Sequence, residues 1–136
     1  MHEFTTASQI WKSVARAAQA GPLGERPRER GGRVRSLTLE LGELNLLAPD
    51  QITFWIRELA AREGSPDLQV TISVIKGRVR CANCAQESDA VLPEGELDHH
   101  VPLELTCPRC GAHDVTITAG RDIKVVRAEI APEDPL

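Results

Sequence analysis

The sequence predicts an α/β fold: a small sandwich of two helices on a three-stranded, mostly antiparallel sheet, interrupted by an inserted lobe. Three observations predict it. Apolar residues recur with helical period in two segments, they alternate with polar residues in three others, and two Cys-x-x-Cys pairs fall between the second and third of the alternating segments.

The first helix is read from Phe4, Ala7, Ile10, Trp11, Val14 and Ala18, which share one helical stripe until Gly21-Pro22 breaks the pattern. Gly21 to Gly32, GPLGERPRERGG, has no periodicity and reads as a connecting loop. Leu37, Leu39 and Leu41 then alternate with Ser36, Thr38 and Glu40, a strand with one buried face that ends at Gly42. Pro49 suits the first turn of a second helix, whose stripe is Ile52, Trp55, Ile56, Leu59 and Ala60 and whose stop is Gly64. Trp11 and Trp55 lie on these stripes and are expected in the core.

Leu68, Val70, Ile72 and Val74 alternate as a second strand, and the phase slips to Ile75, Gly77 and Val79. That slip predicts a bulge in a strand running directly into Cys81. Beyond the cysteines, Val115 and Ile117 mark a short strand, and Ile123 and Val125 begin one that returns to the main sheet; the closing PEDPL reads as a tail. The expected division is residues 1–79 with 119–136 as the α/β domain and residues 80–118 as a zinc-ribbon-like lobe.

A chain of 136 residues is long enough for one domain, or for a small one with a satellite module. Its formal charge of -4 gives no global field toward nucleic acid or an anionic membrane. MHEFTTASQIWKSV lacks the basic and apolar regions of a secretory signal, and no apolar run reaches membrane-spanning length, so a cytoplasmic location is expected.

Cys81, Cys84, Cys107 and Cys110 form CANCA and CPRCG, and in a reducing compartment paired CxxC turns present four thiolates to a metal. A structural tetrathiolate zinc site is predicted. A redox dithiol needs only one such turn, and a rubredoxin-like iron site usually has glycine after both pairs, which Ala85 does not supply. The missing glycine predicts a less regular first knuckle. A closed site has no open coordination position, which argues against a zinc hydrolase and against an enzyme. The lobe carries few apolar side chains, so metal is expected to supply its folding free energy. His113 is the one spare ligand near Cys110, and four thiolates leave it no place.

His2 follows Met1, and a residue this large keeps the initiator methionine in place. The Met1 amine and the His2 amide and imidazole can close adjoining chelate rings, with the Glu3 amide or another donor in the fourth place, a planar, nitrogen-rich set that suits Ni(II) or Cu(II). Taken alone, a histidine at position 2 is more often a solvated residue on a frayed end. His99 and His100, in GELDHHVPLEL, read as loop residues, and Glu40 and Glu43 as ordinary exposed carboxylates.

The MHE start, the helix after it, LTLELGELNLLAPDQITFWIREL and the two CxxC pairs together resemble the HypA/HybF family of hydrogenase nickel-incorporation metallochaperones. The likeness covers essentially the whole chain. It implies nickel at Met1, His2 and Glu3, with structural zinc at Cys81, Cys84, Cys107 and Cys110. Implied partners are a HypB-type GTPase and the large subunit of a nickel-iron hydrogenase, with urease open as a further destination; the sequence leaves the oligomeric state, a homodimer included, open, and nucleic acid and membrane are not among the partners. The alternative reading is a nucleic-acid-binding zinc ribbon using the basic run Arg26, Arg28, Arg30, Arg33 and Arg35, against which stand the acidic balance and the absence of tyrosine.

Overall fold

Ala7, Ile10, Trp11, Val14 and Ala18 are all buried along one stripe of helix α1 (His2–Ala20), as their spacing predicts. The computed structural model describes residues 2–20, 33–92 and 105–131, without the side chains of residues 19 and 20. The Gly21 to Gly32 connection, the PEDPL tail, Met1, His99 and His100 lie outside the described residues.

Strand β1 (Arg33–Gly42) buries Leu37, Leu39 and Leu41. The Val34 amide donates to Ser65 Oγ at 3.0 Å, which fastens the start of β1 to the segment after the second helix and satisfies a buried hydroxyl. After Gly42 a single 3-10 turn (Glu43–Asn45) closes with Leu46 in the left-handed region, and Asn45 Nδ2 donates back to the Gly42 carbonyl at 3.0 Å.

Helix α2 (Pro49–Arg62) starts on proline, whose fixed φ and missing N–H cost nothing at that position. It buries Ile52, Ile56 and Ala60 and packs against α1. Trp11 reaches across to donate its indole N–H to the Glu63 carboxylate. Trp55 departs from its expected place in the core: it is half-buried, stacked edge-on between Phe4 and Phe54 with ring centroids 5.0 Å away on each side. At the end of α2, Gly64 takes φ +94°, and the Ser65 amide thereby reaches the Ala60 carbonyl at 2.8 Å.

The expected continuous strand into Cys81 is instead two strands in two sheets, β2 (Gln69–Ile75) and β3 (Arg78–Cys81). The break falls at Lys76-Gly77 for a packing reason. A Cβ on Gly77 would sit 2.7 Å from Leu44 Cγ, and the Gly77 carbonyl is taken by the Ala90 amide at 2.8 Å. The remaining strands are β4 (Glu87–Asp89), β5 (Val115–Ala119) and β6 (Ile123–Ala131). One sheet has the order β2-β1-β6, so the last strand does return beside β1; the other has the order β4-β3-β5. Both are small, three-stranded and mostly antiparallel, and with two helices they give the predicted class.

The chain forms two compact units, Met1–Leu39 with Leu47–Ser73 and Lys124–Leu136, and Glu40–Leu46 with Val74–Ile123. The first has a conventional core in which Val34, Leu37, Leu39, Ile52, Ile56 and Leu68 are almost fully enclosed. Each such side chain contributes about 1.5–3 kcal/mol. In the second, the buried apolar residues among those described are Leu41, Val79, Cys81, Ala90 and Cys107. Its sheet is aligned at the surface by Arg78, which contacts Glu87 at 3.0 Å and Asp89 at 2.5 Å on β4, directly across the strand pair.

Within the second unit three glycine backbones meet. A Cβ on Gly42 would lie 2.3 Å from the Gly120 carbonyl oxygen, and one on Gly120, whose φ is +85°, would lie 2.5 Å from Gly77 Cα. The contact is fixed by hydrogen bonds from Gly42 N to Asp122 O at 2.9 Å and from Leu44 N to Gly120 O at 2.8 Å.

Candidate metal centre

Cys81 is the last residue of β3, and its pairing opposite Val115 on β5 fixes the backbone from which the first knuckle turns. The Cys81 amide donates to Gln86 O at 3.0 Å, and the Ala85 amide donates back to Cys81 O at 2.9 Å. The second knuckle repeats these bonds, Cys107 N to Ala112 O at 2.8 Å and Gly111 N to Cys107 O at 2.8 Å. The expectation of a less regular first knuckle is therefore corrected. Ala85 takes the left-handed backbone, φ +61°, that Gly111 takes at +77°. The alanine does so at a cost of about 1–2 kcal/mol that glycine avoids.

The two turns bring the four sulfurs within 4.8 Å of one another. Cys81 and Cys110 stand 3.5 Å apart, and Cys84 and Cys107 3.7 Å. A tetrahedron with metal–sulfur bonds of about 2.3 Å has edges of roughly 3.8 Å, so the set is already close to the size a tetrathiolate metal requires. Cys81 and Cys107 are buried, Cys84 is half-buried and Cys110 is exposed. No carboxylate or imidazole belongs to the cluster among the described residues, and His113 is exposed outside it.

Amide dipoles are aimed at the sulfurs. Cys84 N reaches Cys81 Sγ at 3.4 Å. The amides of Cys110 and Arg109 hold the Cys107 thiol down at about 6, and the Ala112 amide followed by the Asn83 side chain lowers Cys110. At Cys84 the Gln86 amide acts in the same direction but is outweighed by desolvation and by the neighbouring sulfurs Cys107, Cys81 and Cys110, which push the thiol up to about 11. Four sulfurs this close compete for protons, and a divalent cation removes the conflict by displacing them.

The N-terminal candidates are arranged differently. His2 is exposed on the first turn of α1, and Glu3, half-buried, accepts a hydrogen bond from the Ala48 amide at 3.3 Å, just before α2. Glu40 on β1 and Glu43 in the 3-10 turn are half-buried, more enclosed than their sequence suggests. Of the arginine run, Arg33 pairs with Asp67 at 3.0 Å and Arg35 is exposed, while Arg26, Arg28 and Arg30 lie outside the described residues. Two contributors escaped the sequence reading, the Gln86 backbone and the Asn83 side chain. The only available signal was an amide residue inside a CxxC turn.

The family description "Hydrogenase/urease nickel incorporation, metallochaperone, hypA" matches residues 1–130. The chain belongs to the HypA family. The hydrogenase maturation factor HypA of Methanothermobacter thermautotrophicus is 31% identical over 134 residues, which are 98% of this chain and 100% of that protein. The Streptomyces avermitilis HypA is 31% identical over 127 residues, 93% of this chain and 84% of its own. The solution structure of the nickel metallochaperone HypA from Helicobacter pylori shares the fold, with a TM-score of 0.54 at 16% identity over 96% of this chain and 98% of that one. HypA proteins are carriers of metal, so this chain is a metallochaperone of the hydrogenase maturation family and not an enzyme. Among the described residues no helix is long and apolar enough to cross a membrane.

Proposed function

We propose that Cys81, Cys84, Cys107 and Cys110 hold a structural Zn(II), and that Met1, His2 and Glu3 bind Ni(II) as cargo for nickel-iron hydrogenase. The zinc reading is supported by the donor set, four converging thiolates met by backbone amides with no place for a substrate water. Family membership over residues 1–130 carries the nickel reading. Exposure of His2 on the first turn of α1 supports it locally. In this reading the Met1 amine, the His2 amide and imidazole, and the Glu3 amide supply the nickel ligands.

A site of this kind transfers its metal. Protonation of the amine or imidazole weakens it, and a partner with better ligands completes the exchange. In this reading the chain works in the cytoplasm with a HypB-type GTPase and delivers nickel to the hydrogenase large subunit.

The test is a nickel titration of zinc-loaded protein, comparing wild type with His2→Ala and with one extra residue placed before Met1. Stoichiometric binding lost in both variants is expected. Binding retained in both would place the nickel elsewhere and refute the terminal site.

A further inference from the structure

Each sulfur of the metal centre is met by a backbone amide of its own knuckle, and among the described residues Cys110 receives a side-chain amide as well. Asn83 Nδ2 donates to Cys110 Sγ at 3.7 Å. The donor belongs to the first knuckle and the acceptor to the second, so this hydrogen bond crosses between the two turns. It also reaches the exposed member of the four cysteines, the one a competing chelator or an electrophile meets first. Asn83 itself is exposed and no carboxylate neighbours it in the CANC turn, which leaves its amide available to the sulfur.

A zinc ion with four thiolates carries a formal charge of -2, spread over the sulfurs. N–H donors withdraw part of that charge and make a sulfur both a poorer nucleophile and a more firmly held ligand. Backbone amides do this for the enclosed sulfurs, which solvent reaches little. At Cys110 burial is missing, and a side-chain donor from the opposite turn stands in its place.

We propose that Asn83 is a positioning residue of the metal centre, which holds and shields the Cys110 thiolate and thereby sets how readily the site yields its metal. The inference rests on the zinc reading given above. It distinguishes two roles for Asn83, because an asparagine in a tight turn can also serve through its side-chain oxygen as an acceptor for local backbone. Asn83→Asp keeps that acceptor and loses the donor; Asn83→Ala loses both and adds no charge. Loss of the N–H donor is the one defect the two variants share.

The experiment uses the full chain, with zinc content measured first. Zinc-loaded wild type and both variants are exposed to limiting iodoacetamide, whose iodide leaves as the sulfur forms its S–C bond, and the singly alkylated species is mapped by mass spectrometry. Zinc transfer to a chromophoric chelator is timed on the same samples. Alkylation of Cys110 about 10-fold faster in both variants, with Cys81 and Cys107 unchanged in the first event and zinc transfer accelerated to a similar degree, is the expected result. Wild-type behaviour in Asn83→Asp, or an unchanged Cys110 rate in both variants, overturns the inference while leaving the zinc site standing. A wild-type chain that takes up no zinc overturns both.

Discussion

Six aliphatic side chains, Val34, Leu37, Leu39, Ile52, Ile56 and Leu68, are almost fully enclosed in the first compact unit, whereas Leu41, Val79 and Ala90 are the buried aliphatic residues of the second among those described. The second unit makes up the difference with cysteines, two of them buried, whose sulfurs converge. The contrast teaches that one chain can stabilise neighbouring parts by unlike means. Apolar packing is always present, whereas a thiolate cluster stabilises only when the cation is supplied.

Metal removal is the most direct way to break the comparison. Binding of structural zinc in small sites is worth on the order of 10–16 kcal/mol. A strong chelator is therefore expected to abolish amide protection in β3 and β5 while Ile52 to Ala60 of α2 stay protected, as read by hydrogen exchange. Simultaneous loss in both units would show that they depend on one source of stability.

Leu37→Ala addresses the other side. It removes a fully buried side chain and is expected to cost about 2–5 kcal/mol in denaturant unfolding of the first unit, with zinc content unchanged. Gly120→Ala should follow at about 1–3 kcal/mol, since the new methyl meets the Gly77 backbone and a left-handed φ together. Unlike the leucine variant, it is expected to lower the melting temperature of the second unit.

The knuckles offer a finer test. Ala85→Gly should stabilise the zinc-loaded protein by about 1 kcal/mol, and Gly111→Ala should cost a similar amount, because both positions use the same backbone conformation. Equal melting temperatures in all three proteins would mean that the two turns do not share it.

The smallest effect is electrostatic. The Arg78 hydrogen bond, with help from Thr118, holds the Glu87 carboxyl below its usual range. A carboxyl depressed on folding stabilises the protein above its unfolded value of about 4.3, and that contribution disappears as pH falls through the lower folded value. NMR titration should find Glu87 below that value, and Glu87→Gln should remove this part of the acid dependence.

Much of this was legible in the sequence. Leucine alternation located β1, helical spacing located α1 and α2, and two CxxC pairs named the thiolates that the fold brings together. Periodicity reports which side chains face inward and not which sheet receives them, so the alternation through Val74, Ile75 and Val79 concealed the change of sheet at Gly77. Strand β4 was silent because Glu87, Ser88 and Asp89 carry no apolar signal; their pairing follows from Arg78 across the strand. Ala85 shows the limit of reading a turn from its glycine, since neighbouring hydrogen bonds can impose the same backbone on alanine.

The order of strands also has a bearing on synthesis. β1 lies between β2 and β6, yet β6 begins only at Ile123, after both cysteine pairs. A growing chain therefore carries one unpaired edge of β1 until β6 is made, and such edges invite pairing with other chains. The bonds of Gly42 and Leu44 to Asp122 and Gly120 lie immediately ahead of β6. A chain halted before Ile123 is thus expected to aggregate more readily than one that has added β6.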